Sequence, residues 1–310
     1  QIEYGGPCMI VGKTVYTNAV RTDGGAFGLL DGEPLQRTHP ITGALVPWRY
    51  HRRYGCNSVV ASRHLLTYRS GAAGYYDLAG DSGTGNLGGF KSGCTSNLIV
   101  ADGVLNAPDY TRTCSCAYQN QTSLALVPVP EADHWTSVVL PGETKPVRTL
   151  GLNLGAPGDR RDSDGLLWFD FPSVGGPGPD LPVTVEGPSL RTYCRHSSAA
   201  AGDRPWIAAS GLEGNAVFSV GTGGGTGRYR LQMVFAEPGD GNGTRRFTVR
   251  IGGRPVLSGF SPLEAGGAPL REVVRETSVP AVSGQLTIEL SADPGSDLPP
   301  VLSGLAVVRE

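Results

Sequence analysis

The sequence predicts an all-β fold, and three observations carry that expectation. Apolar runs are short, about 4 to 8 residues, and rich in Val, Leu, Tyr and Thr. Turn formers close them, with 46 Gly and 24 Pro among 310 residues. No long segment repeats apolar residues at the 3.6-residue helical period. The length is a soft prior for two domains.

The elements follow in order. MIVGKTVY reads as two strands around a turn at Gly12-Lys13, and GGAFGLL as a third strand closed by Asp31-Gly32. Residues 57–61, 64–69 and 72–78 repeat the scheme, with a turn at Ser62-Arg63. A further set comprises 96–100, a turn at Asp102-Gly103, 104–107, and a later strand within QTSLALVPV. Strand, tight turn, strand, loop, strand is the pattern of a propeller blade, and about three such units are present. A closed propeller has at least ~4 blades. The deficit implies blades upstream of Gln1 or a protein partner covering the open edges, which would otherwise template strand addition.

Residues 136–180 are dense in Gly and Pro and read as a connector, although WFDFP is aromatic enough to pack on a neighbouring domain. From residue 181 the strands lengthen. In RYRLQMVF, Leu231, Met233 and Phe235 face one side, and Arg230, Gln232 and Val234 the other. Phe247, Val249 and Ile251 alternate likewise. GQLTIEL and PVLSGLAVV complete the set. Such alternation marks half-buried antiparallel strands of a sandwich.

Two resemblances sharpen this reading. AFGLLDGEP with Thr42-Gly43 resembles the strand-turn of PQQ-like β-propeller repeats. WRYHRRYGCN, LLTYRSGAAGYYDL, GTGNLGGFKSGCTSNLI, ADGVLNAPDYTRTC and YQNQTSLALVP resemble the C-terminal blades of PQQ-binding-like propeller proteins of planctomycete-type bacteria. YRLQMVFAEP, RFTVRIGGRPVL, GQLTIEL and PPVLSGLAVV resemble malectin and malectin-like carbohydrate-binding domains. The implied organisation is partial or C-terminal propeller blades over 1–135, a connector over 136–180, and a malectin-like jelly-roll β-sandwich over 181–310.

Six cysteines in Gly-rich β-sequence favour an oxidising compartment: periplasm, cell surface or secretion. Cys56, Cys94, Cys114 and Cys116 are disulfide candidates with three pairings open. Cys8 and Cys194 stand apart, either buried and free or joining the two halves. Cys114-x-Cys116 lacks the second close pair of a zinc site. The chain opens on Gln1 without a signal-peptide pattern and reads as processed or truncated. No apolar run approaches the ~20 residues of a membrane span. A net charge of −2 gives no footprint for nucleic acid. His51-Arg52-Arg53, Arg160-Arg161 and Arg245-Arg246 read as solvated strand ends or turn flanks.

For chemistry, the malectin resemblance implies a glycan ligand. Aromatic faces stack on sugar C–H faces, while hydroxyls need directed hydrogen bonds. Candidates are Tyr193, Trp206 and Phe260, with His196, Asp203 and Arg204 as polar partners; core packing is the competing role for Trp206 and Tyr193. Asp162 with Asp164, and Asp77 with Asp81, are weak calcium candidates that lack a full ligand loop. No nucleophile elbow, paired catalytic carboxylates or P-loop lysine is present. PQQ or calcium is expected only in a longer parent chain.

The expected function is a non-catalytic, exported binding or scaffold protein whose sandwich is a candidate carbohydrate-binding module. One alternative is a fragment of a PQQ-type quinoprotein dehydrogenase with its catalytic blades upstream. Another is a structural subunit of a cell-surface assembly.

Overall fold

The computed structural model describes the chain except for residues 1–5, 19–23, 54, 56, 89, 91–97, 109–122, 141, 175–177, 225–226 and 240. Its described residues are almost entirely strands and turns, so the chain is all-β. It divides into two compact units. One comprises 1–38 and 44–141, the other 39–43 and 142–310.

The first unit is a series of antiparallel meanders. Met9–Val11, Thr14–Tyr16, Gly24–Gly28 and Arg49–Tyr50 form one sheet. Val60–Ala61, Leu65–Ser70, Ala72–Asp77, Thr84–Asn86 and Thr136–Ser137 form a second. Ile99–Ala101, Val104–Ala107 and Leu124–Leu126 form a third. Gln36–Thr38 and Leu45–Pro47 make a separate hairpin. The Asp102-Gly103 turn has φ of 50° and 76°, the left-handed pair that matches the twist of a two-residue hairpin.

Consecutive sheets share cores. Tyr50 of the first sheet packs with Leu66, Tyr68 and Tyr76 of the second, and with Met9, Tyr16 and Trp48. Ala73 of the second packs with Leu98, Ala107, Leu105, Leu124 and Leu126 around the third. The Thr67 hydroxyl donates to the Leu98 carbonyl at 2.6 Å, tying these two sheets.

The strand expected over 57–61 is reduced to Val60–Ala61. Asn57 is diverted from the ladder: its Oδ1 accepts from the Arg69 amide at 2.9 Å and from Arg52 Nη2 at 2.9 Å. Arg52, expected in solvent, is fully buried. Its Nε donates to the Arg69 carbonyl at 2.9 Å, and its guanidinium lies 5.9 Å from the Tyr68 ring centre.

The second unit is a two-layer sandwich. One sheet runs Arg160–Arg161, Leu167–Phe171, Thr149–Leu154, Gly304–Arg309, Arg228–Phe235, Val273–Pro280. The other runs Val183–Glu186, Ala216–Gly221, Gln285–Ala292, Phe247–Ile251, Arg254–Phe260. The inward face read from sequence is buried, at Leu231, Met233, Phe235, Phe247, Val249 and Ile251, while Val234, read on the opposite face, is buried as well. Phe235 of the first sheet meets Phe247 and Phe260 of the second at ring separations of 5.9 and 4.8 Å, which sets the two layers face to face. Gly252-Gly253, with φ of 55° and 78°, closes the hairpin between the last two strands.

Residues 142–171, within the stretch expected as connector, build strands of this unit. Thr149–Leu154 and Leu167–Phe171 pair in parallel. Leu150, Leu152, Leu154, Leu167, Trp168 and Phe169 are all buried. Near-continuous apolar runs of this kind belong to strands covered on both faces. One of those faces lies under the segment 195–210, where Trp168 meets Trp206 and Asn153 meets Ser210. The 39–43 turn also belongs to this unit: buried Ile41 accepts through its carbonyl from the Arg148 and Thr149 amides at 2.7 and 3.1 Å.

Candidate functional site

The segment 195–210 is built locally and then fastened to the sheet. Following the strand Arg191–Cys194, the His196 ring caps a short 3-10 turn, Ser197–Ala199, with Nδ1 accepting from the Ser198 amide at 3.2 Å. Ala201 then bridges in parallel to Arg271: its amide donates to the Leu270 carbonyl at 2.9 Å, and its carbonyl accepts from the Glu272 amide at 2.8 Å. Pro205 starts the helix Pro205–Ala208, where its missing N–H costs nothing. The helix sits tight on the sheet. A Cβ on Gly304 would lie 2.8 Å from Ile207 and 3.1 Å from Trp168, so only glycine permits this approach.

Arg204 is the fastener. Its amide and Nε both donate to the Glu272 carboxylate, at 2.9 and 3.0 Å, and its Nη1 donates to Gln232 Oε1 at 2.6 Å. The guanidinium lies 5.1 Å from the Trp168 ring centre. Trp206 meets Trp168 edge to face at 6.2 Å, with the Arg160 guanidinium 5.1 Å from its ring centre. Trp168 Nε1 donates to Asp162 Oδ2 at 2.8 Å. The result is a layered Arg–Trp cluster in which Trp206 is 6% exposed. It has no open ring face for a sugar, so Trp206 and Arg204 hold the segment in place. His196 and Asp203 on the same segment remain exposed.

The other two aromatic candidates lie apart from this group. Tyr193 is half-buried, its hydroxyl 3.4 Å from Ser303 Oγ, and burial raises its phenol well above the ordinary tyrosine value. Phe260 belongs to the interlayer triad with Phe235 and Phe247, beneath the Arg275 guanidinium at 5.4 Å.

Beside Tyr193 lies a charged cluster that sequence reading left in solvent. Arg245 is buried; its Nη2 donates to Glu213 Oε1 at 2.7 Å, its Nε to Glu237 Oε2 at 2.9 Å, and its Nη1 to the Pro299 carbonyl. The signal was present in the period-two pattern. Arg245 shares the parity of Phe247, Val249 and Ile251, and Glu237 that of Leu231, Met233 and Phe235. Extending each inward face by one step places opposite charges together inside.

Three of the four calcium candidates, Asp162, Asp77 and Asp81, accept from protein donors. Asp162 Oδ1 accepts from the Asp164 and Leu166 amides at 3.1 and 2.8 Å. Asp77 Oδ1 accepts from the Ala79 amide at 2.9 Å. Asp81 accepts from Trp48 Nε1 at 2.9 Å, from Arg37 at 3.3 Å, and from the Tyr76 hydroxyl. A cation would have to compete with turn amides, an indole and a guanidinium for the oxygens of Asp162, Asp77 Oδ1 and Asp81. Among the described residues, no group of three or more His, Cys, Asp or Glu is arranged to hold a metal ion.

Cys56, Cys94, Cys114 and Cys116 lie outside the described residues. Cys8 is an exposed free thiol rather than a buried one, and Cys194 is also exposed, its thiol 3.7 Å from the Arg195 carbonyl. No described helix is long and apolar enough to cross a membrane.

No family model and no curated protein matches this chain. Solved structures resemble it weakly. The plant receptor-like kinase FER matches at 16% identity and a TM-score of 0.40, over 53% of this chain and 42% of that one. The ANX1 ectodomain from Arabidopsis thaliana matches at 19% and 0.40, over 52% and 41%. A Bacteroides uniformis beta-glucuronidase matches at 12% and 0.43, over 97% and 28%. The chain thus spans less than half the length of each of these proteins, and similarity at this level fixes neither its fold family nor its function.

Proposed function

We propose that the protein is an exported, non-catalytic binding or scaffold protein, with a malectin-like sandwich as a carbohydrate-binding module and blade-like meanders in its first unit. The observation that carries this reading is the 195–204 loop. It is fixed at both ends, by the strand Arg191–Cys194 and by the Arg204–Glu272 pair, and bridged in the middle at Ala201. It nevertheless keeps His196 and Asp203 in solvent. Polar side chains displayed by a loop on a rigid scaffold form the usual layout of a binding site. The exposed His196 ring and the Asp203 carboxylate are the polar groups that would meet ligand hydroxyls.

A glycan array probed with the whole chain tests the reading. A set of related glycans should bind, and His196→Ala and Asp203→Ala should each weaken binding about tenfold, the loss of roughly one charge-assisted hydrogen bond. An array without hits, or binding unchanged in both variants, rejects the assignment.

A further inference from the structure

We infer that Asn242 is an acceptor site for N-linked glycosylation. The tripeptide Asn242-Gly243-Thr244 carries the amide and the hydroxyl two residues on that such transfer requires. The loop 236–246 that contains it connects strands of the two sandwich layers. Its geometry turns Asn242 outward. On one side, a Cβ at Gly241 would lie 2.7 Å from the Leu298 side chain; on the other, a Cβ at Gly243, whose φ is +142°, would lie 2.6 Å from Asp297. These close approaches press the flanking backbone onto residues 297 and 298. Asn242 between them is exposed, and no hydrogen bond to another described residue holds its amide. The folded loop therefore has room for a bulky substituent at this one side chain.

Thr244 is otherwise engaged once the loop has closed. Its amide and hydroxyl both donate to Asp297 Oδ2, at 2.9 and 3.0 Å. Transfer accordingly precedes closure, while the hydroxyl is available to the transferase. The donor is an oligosaccharide carried on a lipid diphosphate. Asn242 Nδ2 attacks the sugar C1, the C1–N bond forms as the C1–O bond to the diphosphate breaks, and the amide gives up one proton as the lipid diphosphate leaves. A second tripeptide of this type, Asn120-Gln121-Thr122, lies outside the described residues.

The inference needs passage through an exporting compartment, as the proposed function does. Translating the full chain behind a cleavable signal in the presence of microsomes imposes that passage, so a negative result here leaves the glycan-binding reading untouched. The Asn120→Gln chain should show one glycan-sized mass increase that peptide-N-glycosidase removes. Release in heavy-oxygen water should label residue 242 well above an enzyme-free control in the same water, which separates enzymic release from spontaneous deamidation of this Asn-Gly pair. Adding Asn242→Gln should abolish the increase, and Thr244→Ser should retain it. An imported Asn120→Gln chain that carries no sugar at residue 242 overturns the inference.

Discussion

Arg245 is the residue on which the sandwich interior depends most. It stands between Glu213 and Glu237, with side-chain exposures of 2%, 16% and 6%. Removing the cation leaves two carboxylates confined together. Arg245→Met should therefore destabilise the protein by about 3–5 kcal/mol, the usual cost of breaking a buried pair, measured by chemical denaturation. A loss within experimental error of zero would mean that the carboxylates reach water. Tyrosines give a second test. Burial raises the phenols of Tyr50, Tyr68, Tyr76 and Tyr193. Unfolded tyrosines ionise near pH ~10, so below that pH both states keep their protons and this contribution is fully present. Above it the unfolded chain loses protons that the folded protein retains, and stability should fall as pH rises toward the folded values. Denaturant midpoints across the alkaline range, alongside phenolate absorbance, check the sign. Arg52 shows why such residues escape a reading of charge alone. Within Trp48, Tyr50 and Arg52 the alternation points inward, yet an arginine after an aromatic run resembles a strand end. Acceptors that include the Arg69 carbonyl and Asn18 Oδ1, 17 and 34 residues away, and the nearby side chain of Asn57 make its burial favourable.

Among the elements, the outer cover of the six-stranded sheet is the most consequential. Segment 195–210 shields Trp168, Asn153 and Gly304, and Ser210 Oγ donates to Asn153 Oδ1 at 3.0 Å beneath it. Arg204→Ala leaves Glu272, whose side chain is 4% exposed, without its cation. The expected outcome is a loss of about 3–5 kcal/mol and faster amide exchange across 195–209, with the interlayer strands unaffected until global unfolding. Uniform acceleration throughout the second unit would show that the segment is not a separate fastening. The long alternating strands at 228–235 and 247–260 were legible in sequence because period two reports a half-buried strand directly. The strands at 149–154 and 167–171 were not. Strands buried on both faces lose the alternation, and their Gly/Pro-rich surroundings read as connector. The sugar candidates divide for a related reason: Trp206 is placed by tertiary packing against Trp168, an element about forty residues away that carries no local signal.

At the scale of the whole molecule, the chain is two β-units whose sequence boundary is not a single point. Residues 39–43 belong to the second unit although they lie within the first in sequence. A fragment starting at residue 142 lacks the Ile41 carbonyl that accepts from Arg148 and Thr149, and lacks a fully buried isoleucine. It should melt below the sandwich transition of the intact chain in calorimetry; an equal midpoint would show that the 39–43 turn contributes nothing to this unit. In the first unit, tight turns such as Asp102-Gly103 are encoded locally and fall where the sequence puts them, whereas the strand read over 57–61 is cut to Val60–Ala61. The cysteine pairing rests on residues beyond that local code. The central claim is that the fastened 195–204 loop is the ligand-contacting surface. The most direct measurement is hydrogen–deuterium exchange of the whole chain with and without a glycan selected on the array. The account predicts ligand-induced protection concentrated in residues 195–204. Protection confined to other segments, with 195–204 unchanged at saturating glycan, would contradict it.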